Sequence, residues 1–377
     1  MSWTFVGREP ELAALAAALD RVREGLGQLI VVRGEPGIGK TTLVERFCAT
    51  ASRVGVLWGS CWDGVGEPTY WPWVQVLRGA AGAGGDEVVN RLADRLAPLG
   101  LHASPSAETG TMVERFALFD AVTQVLHALA GTRPLVVVLE NLHAGGPANA
   151  LMLEFVARHS RHVAMLLIAT YREVDARLDE DLARVIPSLE AAATTITVPA
   201  FTDGDVRDLA AAVLPDPPDR LIAEVLDRTQ GNPLFVAQVL DHLKRHDDGA
   251  AGRAGEPVPA ALRLAIQRRA ARVAGAAQVP RFLDVAAVLG DQVDLAVVAA
   301  VLGQPVPAVA SAADLAVDAG IMRPAGPDYA FVHALMREAI YGDLQPAVRR
   351  GWHLAVAHEL AARDAHPALV AHHYLAA

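Results

Sequence analysis

Nine residues, GEPGIGKTT at Gly34–Thr42, constrain this chain more than any other part of it. They follow the β-branched run LIVVR and lead into TTLVERFCATA, whose apolar residues recur at three and four spacing. A glycine-rich turn between a buried strand and a helix lets the backbone N–H groups of Gly37, Ile38, Gly39, Lys40 and Thr41 converge on an anion, where the helix dipole also favours negative charge. Lys40 would then bridge the β- and γ-phosphates of a nucleotide, Thr41 would offer its hydroxyl to Mg2+, and Thr42 closes the same nucleotide-binding stretch. A glycine turn with a chance lysine is the plain alternative. The strand before the loop and the helix after it both favour phosphate binding.

Four more apolar runs bound that strand into a sheet: VGVLWG at 54–59, PLVVVLE at 134–140, VAMLLIATYR at 163–172 and, more weakly, TTITVPA at 194–200. Helix-forming stretches separate them, and strand–helix alternation over about 200 residues implies a parallel sheet covered on both faces. The spacing therefore predicts an α/β fold, a P-loop NTPase with a five-stranded parallel sheet over residues 1–200. Beyond it the strands stop. Three amphipathic stretches over 201–250 predict a helical lid, and the polar, glycine-rich HDDGAAGRAGEP at 246–257 reads as a linker. Residues 258–345 are helix-rich with one strand pair suggested by IMRPAGPDYAFV, which fits a winged-helix unit, and 346–377 read as a C-terminal helix pair of the kind that opens a repeat array.

Composition narrows the classes further. At 52% hydrophobic, 377 residues have ample apolar material for two or three cores. No apolar run approaches the roughly 20 residues needed to cross a bilayer, and the N-terminus lacks a secretory pattern, so a cytoplasmic protein without membrane contact is expected. Cys48 and Cys61 have no Cys/His spacing around them and read as ordinary core thiols. The formal net charge of −10 argues against a chain-wide nucleic-acid footprint. Between Val258 and Gln345, seven Arg or Lys face eight Asp or Glu, so direct nucleic-acid binding by the expected winged helix is disfavoured too.

The run LVVVLENLH at 135–143 raises the question of turnover. In phosphoryl-transfer sites, a strand beside the phosphate loop ends in an acid on the magnesium side, often followed by a second acid that activates water. Glu140 can fill the first place. Asn141 can hold a water by hydrogen bonds, yet it cannot take a proton near neutral pH. In a second register Glu140 is the base and the metal carboxylate is missing. Both registers leave one acid where two are expected.

Taken in order, these segments resemble the STAND-type signalling ATPases of the AAA+ superfamily, in particular the ATPase module of the large LuxR-type, MalT-related bacterial regulators. FVGREPE at 5–11 is similar to the family's N-terminal motif, which implies that Val6, Gly7 and Arg8 lie against adenine and ribose. GEPGIGKTT, from Gly34, is the phosphate loop, and LENLH is similar to the acid-Asp-Leu-His segment. IATYRE places Arg172 where an arginine senses the γ-phosphate, GNPLF places Pro233 where a lid proline packs on the base, and FVHALMREAIYGDL makes His333 a phosphate neighbour in the closed ADP state. EPTYWPWVQVLR is also family-like; its aromatics fit either a packed helical insert or a partner surface. The chain departs from the pattern at Asn141 and at Ala144, Gly145 and Gly146, which replace Trp-Ala-Asp.

The resemblance implies an ATP/ADP-binding switch with Mg2+ as cofactor, slow hydrolysis, nucleotide-dependent self-association and control of transcription through another domain or partner. Two rival readings stand beside it. An active AAA+-like remodeller would need fast turnover and an arginine finger, and a winged-helix DNA-binding ATPase would need a basic surface.

Overall fold

A computed structural model describes residues 4–61, 69–99, 111–173, 176, 179–245, 278–290, 292–332, 334–363, 365 and 367–377. They form two compact units, Arg8–Pro199 and a second made of Met1–Gly7 with Ala200–Ala377.

In the first unit the five apolar runs become β1 (Gln28–Arg33), β2 (Gly55–Ser60), β3 (Leu135–Glu140), β4 (Met165–Tyr171) and β5 (Thr194–Thr197). All pair in parallel in the order β2-β3-β4-β1-β5. The five-stranded parallel sheet expected from the runs is the sheet observed. The three inner strands β3, β4 and β1 are covered on both faces, which is why their sequences are almost wholly apolar rather than alternating. The weak run TTITVPA yields a strand of only four residues at the edge, with Ile196 alone buried.

Alternation along each strand sorts side chains between the two faces. Leu29, Val31, Val137, Leu139, Leu167 and Ala169 pack with Trp73, Val122 and Leu153 in one apolar cluster, beneath the helices Trp71–Ala80, Met112–Ala130 and Gly146–His159. On the other face Ile30, Val32, Val136, Val138 and Ile168 are buried, and the helices Glu9–Arg23 and Lys40–Thr50 lie there, packed on each other. β2 is an edge strand, and the helix Trp71–Ala80 crosses it so closely that a Cβ at Gly59 would sit 2.1 Å from the Pro72 carbonyl oxygen. Trp73 in that helix is completely buried, so its part of TYWPWV packs inward.

Cys61 is buried and Cys48 half-buried, neither in a disulfide among the described residues, and burial, with the charge of Glu45 adding, pushes the Cys48 thiol up to about 11.

The second unit has one continuous core, running through Val206, Ile222, Val236, Phe282, Val298, Ala313 and Val356. The helices Asp203–Ala211, Asp219–Thr229 and Pro233–Arg245 come first. The expected linker at 246–257, and residues 258–277 after it, lie outside the described residues. Then follow helices Val279–Leu289, Leu295–Leu302 and Val306–Asp318, the antiparallel pair β6 (Met322–Ala325) and β7 (Asp328–Phe331), and helix Ala334–Asp343. Val293 makes an isolated bridge to Tyr329 of that pair. The helices Pro346–Ala362 and Pro367–Ala376 pack on each other at the end. No single helix among the described residues is long and apolar enough to cross a membrane.

Candidate nucleotide site

The loop 34–39 leaves β1 at the C-terminal edge of the sheet and enters the helix Lys40–Thr50. Gly37 at φ 79° and Gly39 at φ 95° hold it in left-handed backbone, a conformation that glycine adopts without steric cost. Lys40 is buried, and its ammonium donates to the carbonyls of Gly34 (2.9 Å) and Glu35 (2.8 Å), so the side chain lies along the loop. Ile38 is buried beneath the loop while Thr42 is exposed on the helix.

Arg8 braces this loop from outside. Its backbone is left-handed at φ 75°, and its buried guanidinium donates to the Ile38 carbonyl at 3.2 Å and to the Pro199 carbonyl at 2.7 Å. The arginine whose sequence context implied ribose contact thus has backbone acceptors in the phosphate loop and at the last residue of its unit.

Glu140 closes β3 directly beside the loop. The Thr41 hydroxyl donates to its Oε1, and the indole N–H of Trp58 donates to its Oε2 at 3.3 Å. Hard oxygen donors from one carboxylate and one hydroxyl suit Mg2+, which is usually held by one or two carboxylates together with substrate phosphates and water. Among the described residues no cluster of three His, Cys, Asp or Glu side chains could hold a metal by itself. The donor set fits Mg2+ bound with a nucleotide, for which Thr41 and Glu140 would be the protein's share.

Asn141 follows with φ 57° and ψ 42°, and its backbone N–H donates to the hydroxyl of buried Thr170 at 3.1 Å. Left-handed backbone is several-fold enriched in Asn and Asp, so the residue fits its place whatever its chemistry. Two residues on, buried His143 accepts through Nδ1 from the backbone N–H of Arg172 at 3.4 Å. Asn141, His143, Thr170 and Arg172 are therefore one hydrogen-bonded corner where β3 and β4 end.

The unusual glycines at 145 and 146 have a local cause. A Cβ on Gly145 would come within 2.5 Å of the Cys61 Sγ and 2.7 Å of the Asn149 Nδ2. Gly146 has φ 70° and starts the helix Gly146–His159 ahead of Pro147.

On the opposite face of the sheet, Tyr171 donates to Glu190 at 2.5 Å, and Arg33 pairs with the same carboxylate oxygen at 3.0 Å. Burial, then the bond to Glu190, pushes the Tyr171 phenol well above its ordinary range. This knot ties the ends of β1 and β4 to the helix Glu180–Ala192.

The first unit thus gathers Arg8, Gly34, Gly37, Ile38, Gly39, Lys40, Thr41, Glu140, Asn141 and Arg172 at the C-terminal ends of β1, β3 and β4. Val6, Gly7 and Pro233 belong to the second unit, where Gly7 at φ 62° leaves no room for a Cβ against Asp205 (2.5 Å). Pro233 there begins the helix Pro233–Arg245 after buried Asn232. His333 lies outside the described residues. Trp58 is the contact that sequence reading missed. Its signal was faint: a large aromatic two residues before the end of the strand that runs beside Glu140.

Residues 4–168 match the family model described as AAA ATPase domain. An uncharacterized protein of Rhizobium meliloti (strain 1021) is 26% identical over 380 residues, covering 90% of this chain. The chain spans 35% of that relative's length. Among solved structures, the Walker-type ATPase of Pyrococcus abyssi superposes with a TM-score of 0.56 at 15% identity, over 89% of this chain and 96% of that one. A STAND protein with a tetratricopeptide repeat sensor from Pyrococcus horikoshii aligns at a TM-score of 0.44 and 15% identity, over 97% of this chain and 46% of its own. The fold is that of the P-loop ATPases.

Proposed function

We propose that this chain is a regulatory AAA+ ATPase of the STAND type, which binds ATP or ADP with Mg2+ and uses the bound state, rather than rapid turnover, as its output. One observation carries the reading. Thr41, in the helix that follows the phosphate loop, donates to Glu140 at the end of β3, while the residue after Glu140 is an amide in a left-handed turn. The pair serves cation binding in this reading, and the amide of Asn141 supplies no general base. In this reading Arg172 senses the γ-phosphate, Arg8 braces the loop, and Pro233 and His333 of the second unit respond to which nucleotide is held. The helix, bridge, helix pair and hairpin over 279–331 support a winged-helix assignment for that unit, and transcription would be controlled, as in LuxR-type regulators, through a further domain or partner.

The test combines the nucleotide recovered from purified protein with phosphate release. Wild type is expected to retain adenine nucleotide and release phosphate slowly, and Lys40→Ala to lose the nucleotide. Asn141→Asp should accelerate release on the order of a hundredfold, the lower range for a positioned general base. Rapid release by wild type would overturn the switch, and adenine nucleotide binding that survives Lys40→Ala unchanged would overturn the site.

A further inference from the structure

Glu140 is anchored twice, and the second anchor has no place in the chemistry described so far. Its Oε1 accepts from Thr41 and its Oε2 from the Trp58 indole at 3.3 Å. Trp58 stands on β2, the edge strand whose partner among the described residues is β3, with Ser60 opposite Glu140 and Trp58 opposite Val138. Side chains two apart on a strand share a face, so the indole reaches along the sheet toward the carboxylate.

The ring lies on the face of the sheet opposite the cluster of Val137, Leu139 and Leu167, beside buried Val138, and it reaches past that apolar neighbour to a carboxylate. Among the described residues Trp58 joins neither core cluster, it is half-buried, and Val56 on the same face of β2 is exposed. Tryptophan offers a single donor on a rigid plane and no acceptor, so it can hold a carboxylate oxygen but cannot compete for the cation. A carboxylate has about four lone-pair sites over its two oxygens, and two donors leave room for a cation or its water. With Oε2 tethered, rotation about the last side-chain bond is restricted and Oε1 stays turned toward Thr41.

We infer that Trp58 is a positioning residue for the Glu140 carboxylate, setting the affinity of the site for Mg2+ rather than for the nucleotide itself. The inference rests on the reading of Glu140 as the cation-side acid. Partners that orient a metal-binding group are typically worth ten- to a hundredfold in metal affinity, and a neutral indole donor at 3.3 Å belongs at the low end.

The experiment is a Mg2+ titration of the intact chain with a fluorescent N-methylanthraniloyl ATP as probe, repeated in EDTA. Trp58→Phe is expected to raise the half-saturating Mg2+ concentration about tenfold, with probe affinity in EDTA held within about twofold of wild type. Trp58→His, which restores a ring N–H, should recover part of the loss, and Trp58→Phe should add nothing on a Glu140→Gln background. An unchanged Mg2+ requirement in Trp58→Phe would overturn the inference, as would an equal loss with and without Mg2+, which a merely structural role would give. Wild type that binds the probe without any dependence on Mg2+ would instead overturn the assignment of Glu140. If the Trp58 variants do not fold, indole N–H NMR signals decide. One of the six tryptophan signals should move between wild type and Glu140→Gln and on adding Mg2+ with ATP, and failure of any to move refutes the contact.

Discussion

Asn141 occupies a backbone conformation that few side chains tolerate, and this shapes what its replacement can report. At φ 57° an Asp is accommodated nearly as well as an Asn, so Asn141→Asp changes chemistry with little change in stability. Gly145 is the opposite case. A methyl there would collide with the Cys61 Sγ and the Asn149 amide, and overpacking of this kind costs about 1–3 kcal/mol. Gly145→Ala is therefore expected to lower the thermal midpoint, and adding Cys61→Ala should recover part of the loss by removing the sulfur, leaving the Asn149 contact in place. A midpoint equal to wild type in the single variant would show that the corner yields freely. The same collision gives glycine at 145 a packing reason in this chain.

At the scale of elements, the end of the chain carries a polar contact inside an apolar interface. Helices Pro346–Ala362 and Pro367–Ala376 meet at His353 and His373, both buried, with their Nδ1 atoms 2.9 Å apart, and the Tyr341 hydroxyl meets the His353 Nε2 at 2.9 Å. One of the two Nδ1 atoms must lack a proton for that contact to exist. Burial is the main cause that holds both imidazoles below their ordinary range, His373 at about 4, with His372 and, for His353, Arg349 adding repulsion. A histidine whose folded pKa lies below its unfolded value stabilises the fold above about pH 6.5 and loses that contribution as pH falls toward the folded value. Denaturant titration should therefore find the wild type on the order of 1–2 kcal/mol less stable at pH 5 than at pH 7, a difference reduced in His373→Phe. Equal pH sensitivity in both proteins would place the titrating group elsewhere. Helices such as Glu9–Arg23 and Asp219–Thr229 were readable from their periodicity because that signal is local, whereas the histidine contact joins residues 20 apart on two helices and depends on how they pack.

For the whole molecule, the division into Arg8–Pro199 and the remainder means that each part has its own apolar core to melt. A ligand that binds only the native state raises stability by about 2.7 kcal/mol at a hundredfold excess over its dissociation constant. Calorimetry with Mg2+ and ATP at that excess should raise the transition of the unit that carries the phosphate loop, and Lys40→Ala should abolish the rise. A profile indifferent to nucleotide would argue against the site itself.

The sequence by itself determined the phosphate loop, the five strands and the absence of a second acid at 141. A glycine's freedom at positive φ, a β-branched run and an amide's inability to take a proton are properties of residues and their immediate neighbours. Tertiary structure alone decided the order β2-β3-β4-β1-β5, the bracing of the loop by Arg8 and the tether from Trp58 to Glu140. Those contacts join residues 30 and 82 positions apart, and they exist because sheet register and packing bring particular atoms within hydrogen-bond reach. A one-residue slip of β2 against β3 would turn the indole to the other face, so no local pattern could have announced it.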